Sequence, residues 1–435
     1  MTILLPYLLT LMALFTFTEQ ANAADFFISE SAYTPTIKAS PPQNKQNKSQ
    51  PRLSEIAYRQ FQPIQKQISA EKYDQAFSSL NVLAKRYQDK PYVISVIMKS
   101  AAYIYIAQAA YLKAITWMTR TLALSAMSIA ELQTIRHDLS QLQLQAEQYQ
   151  NAANTMNNWL KMAKPSEVSA SDYQFLAIAE FHLEHFQASK QAAQKGLSLT
   201  SRSSDSQLTD KQASEPLYQL LLSCDLALKH YQSAIKTLKT LVKLNPSKKR
   251  YWQQLAGVYD VLEQTKQALA IFEIMAHKTM LNSEAERIQY IQRLIHQKNS
   301  YKAASQLTHY LQTDEVKSST NNNLLLADAW ERSGESKKAL KQLKKLPPKQ
   351  ALPRLARIYA NEQQWQNLAE VLEPQLKDPI TATNESLFLQ LGYAFNKLGK
   401  FEKATQVFSK LINTKGVSTE TKKSAQDWQA YLSAQ

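Results

Sequence analysis

Glycine is scarce in this chain, six in 435 residues, and cysteine occurs once. So few glycines argue against sheets joined by tight hairpins and against loops that cradle phosphate, which need backbone free to take positive φ. The patterns G-x-x-x-x-G-K-[ST], G-x-G-x-x-G and G-x-S-x-G do not occur. A single cysteine, Cys224, leaves no internal disulfide to form; set in an apolar helical stretch, it reads as a small buried hydrophobe. Acidic residues are in deficit, 36 against 51 Lys and Arg, for a net charge of +15. Gln, Ala, Leu and Lys fill most windows, and all are good helix formers. An all-α protein is expected.

The chemistry of a catalytic or metal site is thin. His182-Leu-Glu-His185 sets two imidazoles at i and i+3, a spacing that could share a metal, but it is not H-E-x-x-H. Both read as solvated or capping histidines. No enzyme activity and no cofactor are expected.

The N-terminus reads as a targeting segment. An apolar run from Ile3 to Phe17 precedes Ala21-Asn-Ala23, an A-x-A cleavage signature, so residues 1–23 are expected to be a signal peptide cut after Ala23. An uncleaved anchor is the alternative, since no Lys or Arg precedes the run. Residues 24–53, with "YTPTIKASPPQNKQNKSQP", read as a polar, Pro-rich linker with little to bury. Export to the periplasm follows from these two segments. Residues 54–435 are the folded part, with a polar loop expected over residues 200–214.

One phrase recurs along that part: aromatic, two polar residues, alanine. It appears at Tyr73–Ala76, Tyr111–Ala114, Tyr149–Ala152, Tyr231–Ala234, Tyr301–Ala304 and Phe401–Ala404. Ala76, Ala114 and Ala152 follow at steps of 38 residues; Ser189, Ala234, Ala268, Ala304, Ala339, Leu368 and Ala404 continue the series. Upstream of Ala268, Trp252, Leu255, Ala256 and Tyr259 stand at i, i+3, i+4 and i+7, one face of a helix. Phe388, Leu391, Gly392 and Phe395 repeat that spacing before Ala404. The small residues at 256 or 392 and the alanines at 268 or 404 are expected where two helices cross closely. Trp428, Tyr431 and Leu432 share a face in "SAQDWQAYL" and read as a capping helix.

These residues resemble the tetratricopeptide repeat family, whose order is a bulky residue, Leu, a small residue, Tyr, a turn, then Ala, Phe and Pro on a period near 34 residues. The Phe388–Leu411 unit matches almost throughout, and the Leu352–Leu372 unit departs from it with Leu368 in the alanine place. The resemblance implies a right-handed α-solenoid of about ten helix-turn-helix units that binds protein partners along its first helices. The positions of those helices outside the apolar stripe are Arg250, Gln253, Gln289, Arg293, Asp328, Arg357, Tyr393 and Asn396. Their arginines would suit an acidic extended peptide or a free carboxylate. Charge reversal at Arg293 and Arg357 is expected to abolish binding without lowering stability. A separate basic face is expected at Lys337, Lys341, Lys344 and Lys345. It could be a solvated surface, or meet anionic headgroups, acidic glycan or an acidic protein.

The layout, with the segment "RYWQQLAGVYDVLEQTKQALAIFE", also resembles periplasmic repeat proteins that accompany TonB-type energy transduction in Gram-negative bacteria. That resemblance implies support of the uptake of iron complexes through TonB or its inner-membrane motor components. Scaffolds for envelope polysaccharide or peptidoglycan assembly, and secretion chaperones, remain as alternatives. Nucleic acid is not an expected partner.

Overall fold

The structure, a computed structural model, describes residues 51–200, 207–374 and 379–434. The expected signal peptide and nearly all of the expected linker lie outside them. The described residues form helices and turns with no strand.

The chain divides into two compact units, residues 1–237 and 238–435. The first holds α1 (Glu55–Ser69), α2 (Tyr73–Arg86), α3 (Pro91–Ala107), α4 (Tyr111–Leu124), α5 (Ile129–Gln145), α6 (Tyr149–Leu160), α7 (Ala170–His182), α8 (Phe186–Thr200) and α9 (Gln207–Ala227). Helix α10 (Tyr231–Leu244) contains the boundary. The second unit continues with α11 (Lys249–Val261), α12 (Thr265–His277), α13 (Glu284–His296), α14 (Ser300–Gln312), α15 (Thr320–Arg332) and α16 (Ser336–Leu343). Then follow α17 (Pro348–Asn361), α18 (Trp365–Leu372), α19 (Glu385–Lys397), α20 (Phe401–Asn413) and α21 (Thr419–Ser433). Within each unit, helices pack on those next or next but one in sequence. Among the described residues twenty helices fall into ten consecutive pairs followed by α21, and within each unit the pairs stack in series in the manner of an α-solenoid, because one pair cannot cover its own apolar face.

The recurrent alanine opens every second helix and is buried. Ala76, Ala114, Ala234, Ala268, Ala304, Ala339 and Ala404 are fully enclosed, as is the exceptional Leu368. Ser189 replaces alanine in α8 without loss, since its hydroxyl donates to the Ala177 carbonyl of α7 at 2.7 Å. Cys224 is enclosed as expected and its Sγ donates to Ser189 Oγ at 3.3 Å. Burial pushes that thiol's pKa up.

One expectation is corrected. Residues 200–214 were to be a loop, yet α8 runs to Thr200 and α9 begins at Gln207. Gln, Leu, Lys and Ala between 207 and 213 keep good helix propensity although their apolar content is low, so the polarity of the stretch misleads. Residues 201–206 lie outside the described residues.

The scarcity of glycine has an unexpected counterpart in the turns. Inside every pair the residue two places before the second helix takes positive φ: Glu71, Ala109, Glu147, Glu184, Lys229, Glu263, Lys298, Gly334, Gln363 and Gly399. Eight of these are not glycine and sit at φ between 55 and 61°. The next amide closes back on the first helix in the Schellman pattern, as Ala110 N to the Tyr105 carbonyl at 2.8 Å and Gln264 N to the Tyr259 carbonyl at 2.8 Å. A side chain in this conformation is strained. Ala109, exposed, offers the cleanest test: Ala109→Gly should stabilise the protein by about 1 kcal/mol, read as a higher urea midpoint at unchanged slope.

Candidate functional site

The predicted first-helix positions fall on α11, α13, α15, α17 and α19, all in the second unit. Their side chains are largely committed to one another. Gln253 on α11 donates to Glu286 Oε1 of α13 at 2.9 Å, and Lys249 reaches the same carboxylate at 2.6 Å. The Glu286 carboxyl is held below its usual range: burial opposes this, but the Lys249 and Ser283 bonds outweigh it.

Arg293 on α13 is a structural fork. Its two terminal nitrogens donate to both oxygens of Asp260 on α11, at 2.7 and 2.6 Å. Its guanidinium lies 4.5 Å from the centre of the Phe272 ring. On the next pair of first helices, Arg354 Nε and Nη2 meet Asp328 at 2.8 and 3.0 Å. Arg357 grips Glu331 at 2.8 and 2.6 Å and touches Asp328 at 3.4 Å. These bonds push the already high Arg357 pKa further up, the Glu331 hydrogen bonds contributing most. Tyr393 stands edge-on to Trp365 and Trp428, with ring centres 5.3 and 5.1 Å away.

Arg293 and Arg357 lie on first helices, where the spacing places them, and each already holds an acidic partner. Neither is a free groove arginine, because a carboxylate of the preceding first helix already occupies each. Arg293→Glu should lower stability by about 1–2 kcal/mol in urea unfolding, since it sets two carboxylates together and strips the Phe272 face. Arg250→Glu should leave the midpoint unchanged. Arg250 and Gln289 are exposed, Asn396 is half-buried, and none of the three makes a side-chain bond among the described residues.

The sequence reading missed Asp260, Glu286, Glu331 and Arg354. A signal was present: Asp260 and Arg293 stand 33 residues apart, as do Gln253 and Glu286. Complementary polar residues one repeat apart are what adjacent first helices need. The first unit uses the same device on α3, α5 and α7. Tyr103 donates to Asp138 Oδ2 at 2.5 Å, and His137 Nε2 meets Asp172 Oδ1 at 2.6 Å, each across 35 residues.

What remains open beside this lattice is a cavity of about 440 Å³ among α15, α16 and α17, lined by Arg332, Ser336, Arg357, Asn361 and Glu362 among others. Arg332 is exposed at its edge and forms no ion pair among the described residues. The four lysines of the basic face, Lys337, Lys341, Lys344 and Lys345, are all exposed without a carboxylate partner there. His182 stacks on Tyr149 at 4.3 Å while His185 bonds Glu180 Oε2 at 2.9 Å, so each histidine is occupied separately. Among the described residues no group of three or more His, Cys, Asp or Glu could hold a metal ion. No described helix is long and apolar enough to cross a membrane.

Serial helix pairs, several of them joined by polar bonds between their first helices, define an α-helical repeat protein. No protein-family model and no curated protein matches the chain. Among solved structures it is similar to Naa15/Naa10 bound to HypK-THB, with a TM-score of 0.45 and 14% identity over 87% of this chain. The chain spans 62% of the length of that one. It is also similar to a tetratricopeptide repeat protein from Parabacteroides merdae, with TM-score 0.35, 13% identity, 67% of this chain and 92% of that chain. A third is YrrB, described as a TPR protein with an unusual peptide-binding site, with TM-score 0.34, 13% identity, 44% of this chain and 88% of that chain.

Proposed function

We propose that this chain is a non-enzymatic scaffold that holds polypeptide partners against its first helices in the periplasm. The observation that carries the reading is the open face of α11, α13, α15 and α17. Arg293, Arg354 and Arg357 are satisfied internally, so the face is stiffened before any partner arrives, and it retains Arg250, Gln289 and the cavity beside Arg332. A face stiffened by cross-helix ion pairs loses little conformational entropy when an extended segment lies along it.

The finer reading rests on the N-terminal export pattern and on the resemblance in the 250–273 segment. It makes the protein an accessory of a TonB-type system for iron-complex uptake, contacting TonB or its motor components. A scaffold for envelope polysaccharide or peptidoglycan assembly is the competing assignment. Crosslinking of the full-length protein in iron-starved cell envelopes, with partners identified by mass spectrometry, separates them. TonB or motor subunits, lost in an Arg250→Glu/Arg332→Glu variant that still folds, are the expected result. Glycan synthases or export components captured instead would overturn the uptake assignment and leave the scaffold standing.

A further inference from the structure

Charge in the second unit is distributed unevenly, and the ion pairs show where it is uncompensated. From Ser336 to Asn361 the sequence has six lysines, two arginines and no carboxylate. Three of those eight cations are neutralised by residues outside the stretch. Arg354 and Arg357 bind Asp328 and Glu331, and Lys338 reaches Glu335 at 3.3 Å. Lys338 also lies over the Trp330 ring at 4.5 Å, which fixes α16 against α15. The other five, Lys337, Lys341, Lys344, Lys345 and Lys349, are exposed and have no ion-pair partner among the described residues. They occupy α16, the turn that follows it and the start of α17, a span short enough for one ligand segment.

Beside them lies a cavity of about 480 Å³ among the end of α14, the start of α15 and the end of α16. Its lining is mixed: Leu311, Leu346 and Pro347 present apolar surface among seven polar side chains, Lys345 among them, and Gln312 is exposed at the rim. It shares no residue with the cavity beside Arg332. Gln342 donates to Asn323 Oδ1 across its floor, and Asn323 Nδ2 reaches the Ser319 carbonyl at 2.8 Å, so the wall is fixed by bonds of its own.

We propose that this lysine cluster and cavity are a second docking surface, for an acidic polypeptide segment carrying an apolar side chain. The proposal deepens the scaffold reading above by naming a partner chemistry, at a place separate from the first-helix face. Lysines supply flexible point charges that suit several carboxylates in a row, without the planar pairing that arginine imposes. The cavity decides among anionic partners. A bilayer surface would leave it unfilled, and a polysaccharide has no aliphatic side chain to set against the half-buried Leu311 and Leu346. A peptide has both parts.

The test uses the purified full chain and a fluorescein-labelled peptide with glutamates flanking a leucine, followed by anisotropy. Saturable binding is expected, weakening with added salt because exposed charges are screened within about 10 Å. Lys341→Glu/Lys345→Glu should weaken it about tenfold by reversing the local field. Gln312→Trp, which fills the cavity from its exposed rim, should weaken the leucine peptide but not its all-glutamate counterpart. Both variants should melt with the parent protein, the lysines being unpaired. Peptide binding indifferent to the lysine substitutions would overturn the proposal. So would lysine-dependent binding of anionic vesicles or polygalacturonate without binding of the peptide. Either failure leaves the first-helix reading intact, because that reading is tested through Arg250 and Arg332.

Discussion

Gly392→Val should lower the stability of the protein by about 3 kcal/mol, the largest single-residue effect expected here. A Cβ built on Gly392 would stand 2.4 Å from Phe408 Cε1 and 2.7 Å from its Cζ. Phe408 is fully enclosed, and its ring lies nearly parallel to Trp428 of α21, 11° apart with centres at 6.4 Å. The ring therefore cannot swing away, and α19 must part from α20. Because a repeat array couples only to its neighbours, the damage should be confined to the C-terminal pairs. Hydrogen exchange should show α19, α20 and α21 losing protection while α11 to α14 keep theirs. Gly257→Ala is the control. No heavy atom lies within 4 Å of a Cβ there, and the helix should gain about 0.5–1 kcal/mol from better propensity. Equal thermal midpoints for Gly392→Val and the parent would refute the close crossing of this pair.

The second large effect is a pH dependence centred on α5. His137 sits between Asp172 of α7, at 2.6 Å, and Asp138 beside it, at 3.7 Å, with its ring 4.5 Å from Trp159. Asp172 is nearly enclosed, and its other oxygen caps α7 by accepting from Ser169 N at 2.7 Å. The Asp138 carboxylate beside it and the hydrogen bond to Asp172 raise the imidazole pKa to about 9, against the pull of burial. Asp138 and Asp172 are both held below the ordinary carboxylate range: burial works against this, and the imidazole of His137, with the Tyr103 hydroxyl on Asp138 and Ser169 on Asp172, prevails. The signs follow. A histidine whose pKa rises on folding adds stability that is whole below about pH 6.5 and disappears as pH climbs through about 9. The aspartates add stability that is present above their unfolded pKa near 4 and is lost on acidification. With the His137 side chain about a quarter exposed, the alkaline loss should be about 1–2 kcal/mol after screening. Urea midpoints between pH 6 and 9.5 should decline in the parent and stay flat in His137→Gln, whose stability should be lower at pH 6. A parallel decline in both would assign the slope to other groups. Tyr103, raised by burial and by its bond to Asp138, contributes only at higher pH.

Much of the architecture was legible because repeats print their packing on the sequence. A residue that must be small at a helix crossing recurs wherever the crossing recurs, and Ala268, Ala304 and Ala404 mark the pairs in the sequence alone. The aromatic three places earlier marked the start of most second helices, and Ser189 and Leu368 were found by phase alone. The start of α9 was obscured because polar helix formers and polar loops share a composition.

The partner-facing side chains were less legible, for a different reason. Periodicity placed Arg293, Asp328 and Arg357 on the outward positions of first helices, where they are. It could not say that Asp260 and Glu331 would be within bonding distance. That depends on the offset between successive pairs, set by Phe272 and its neighbours as they pack. The sequence by itself determined helix, pairing and period, since each follows from residue size and spacing along one chain. Only the tertiary structure decided which charges neutralise one another, because that is settled by a few ångströms between helices some 30 residues apart. The same distances left Lys337 and Lys341 of α16 without a counter-charge among the described residues.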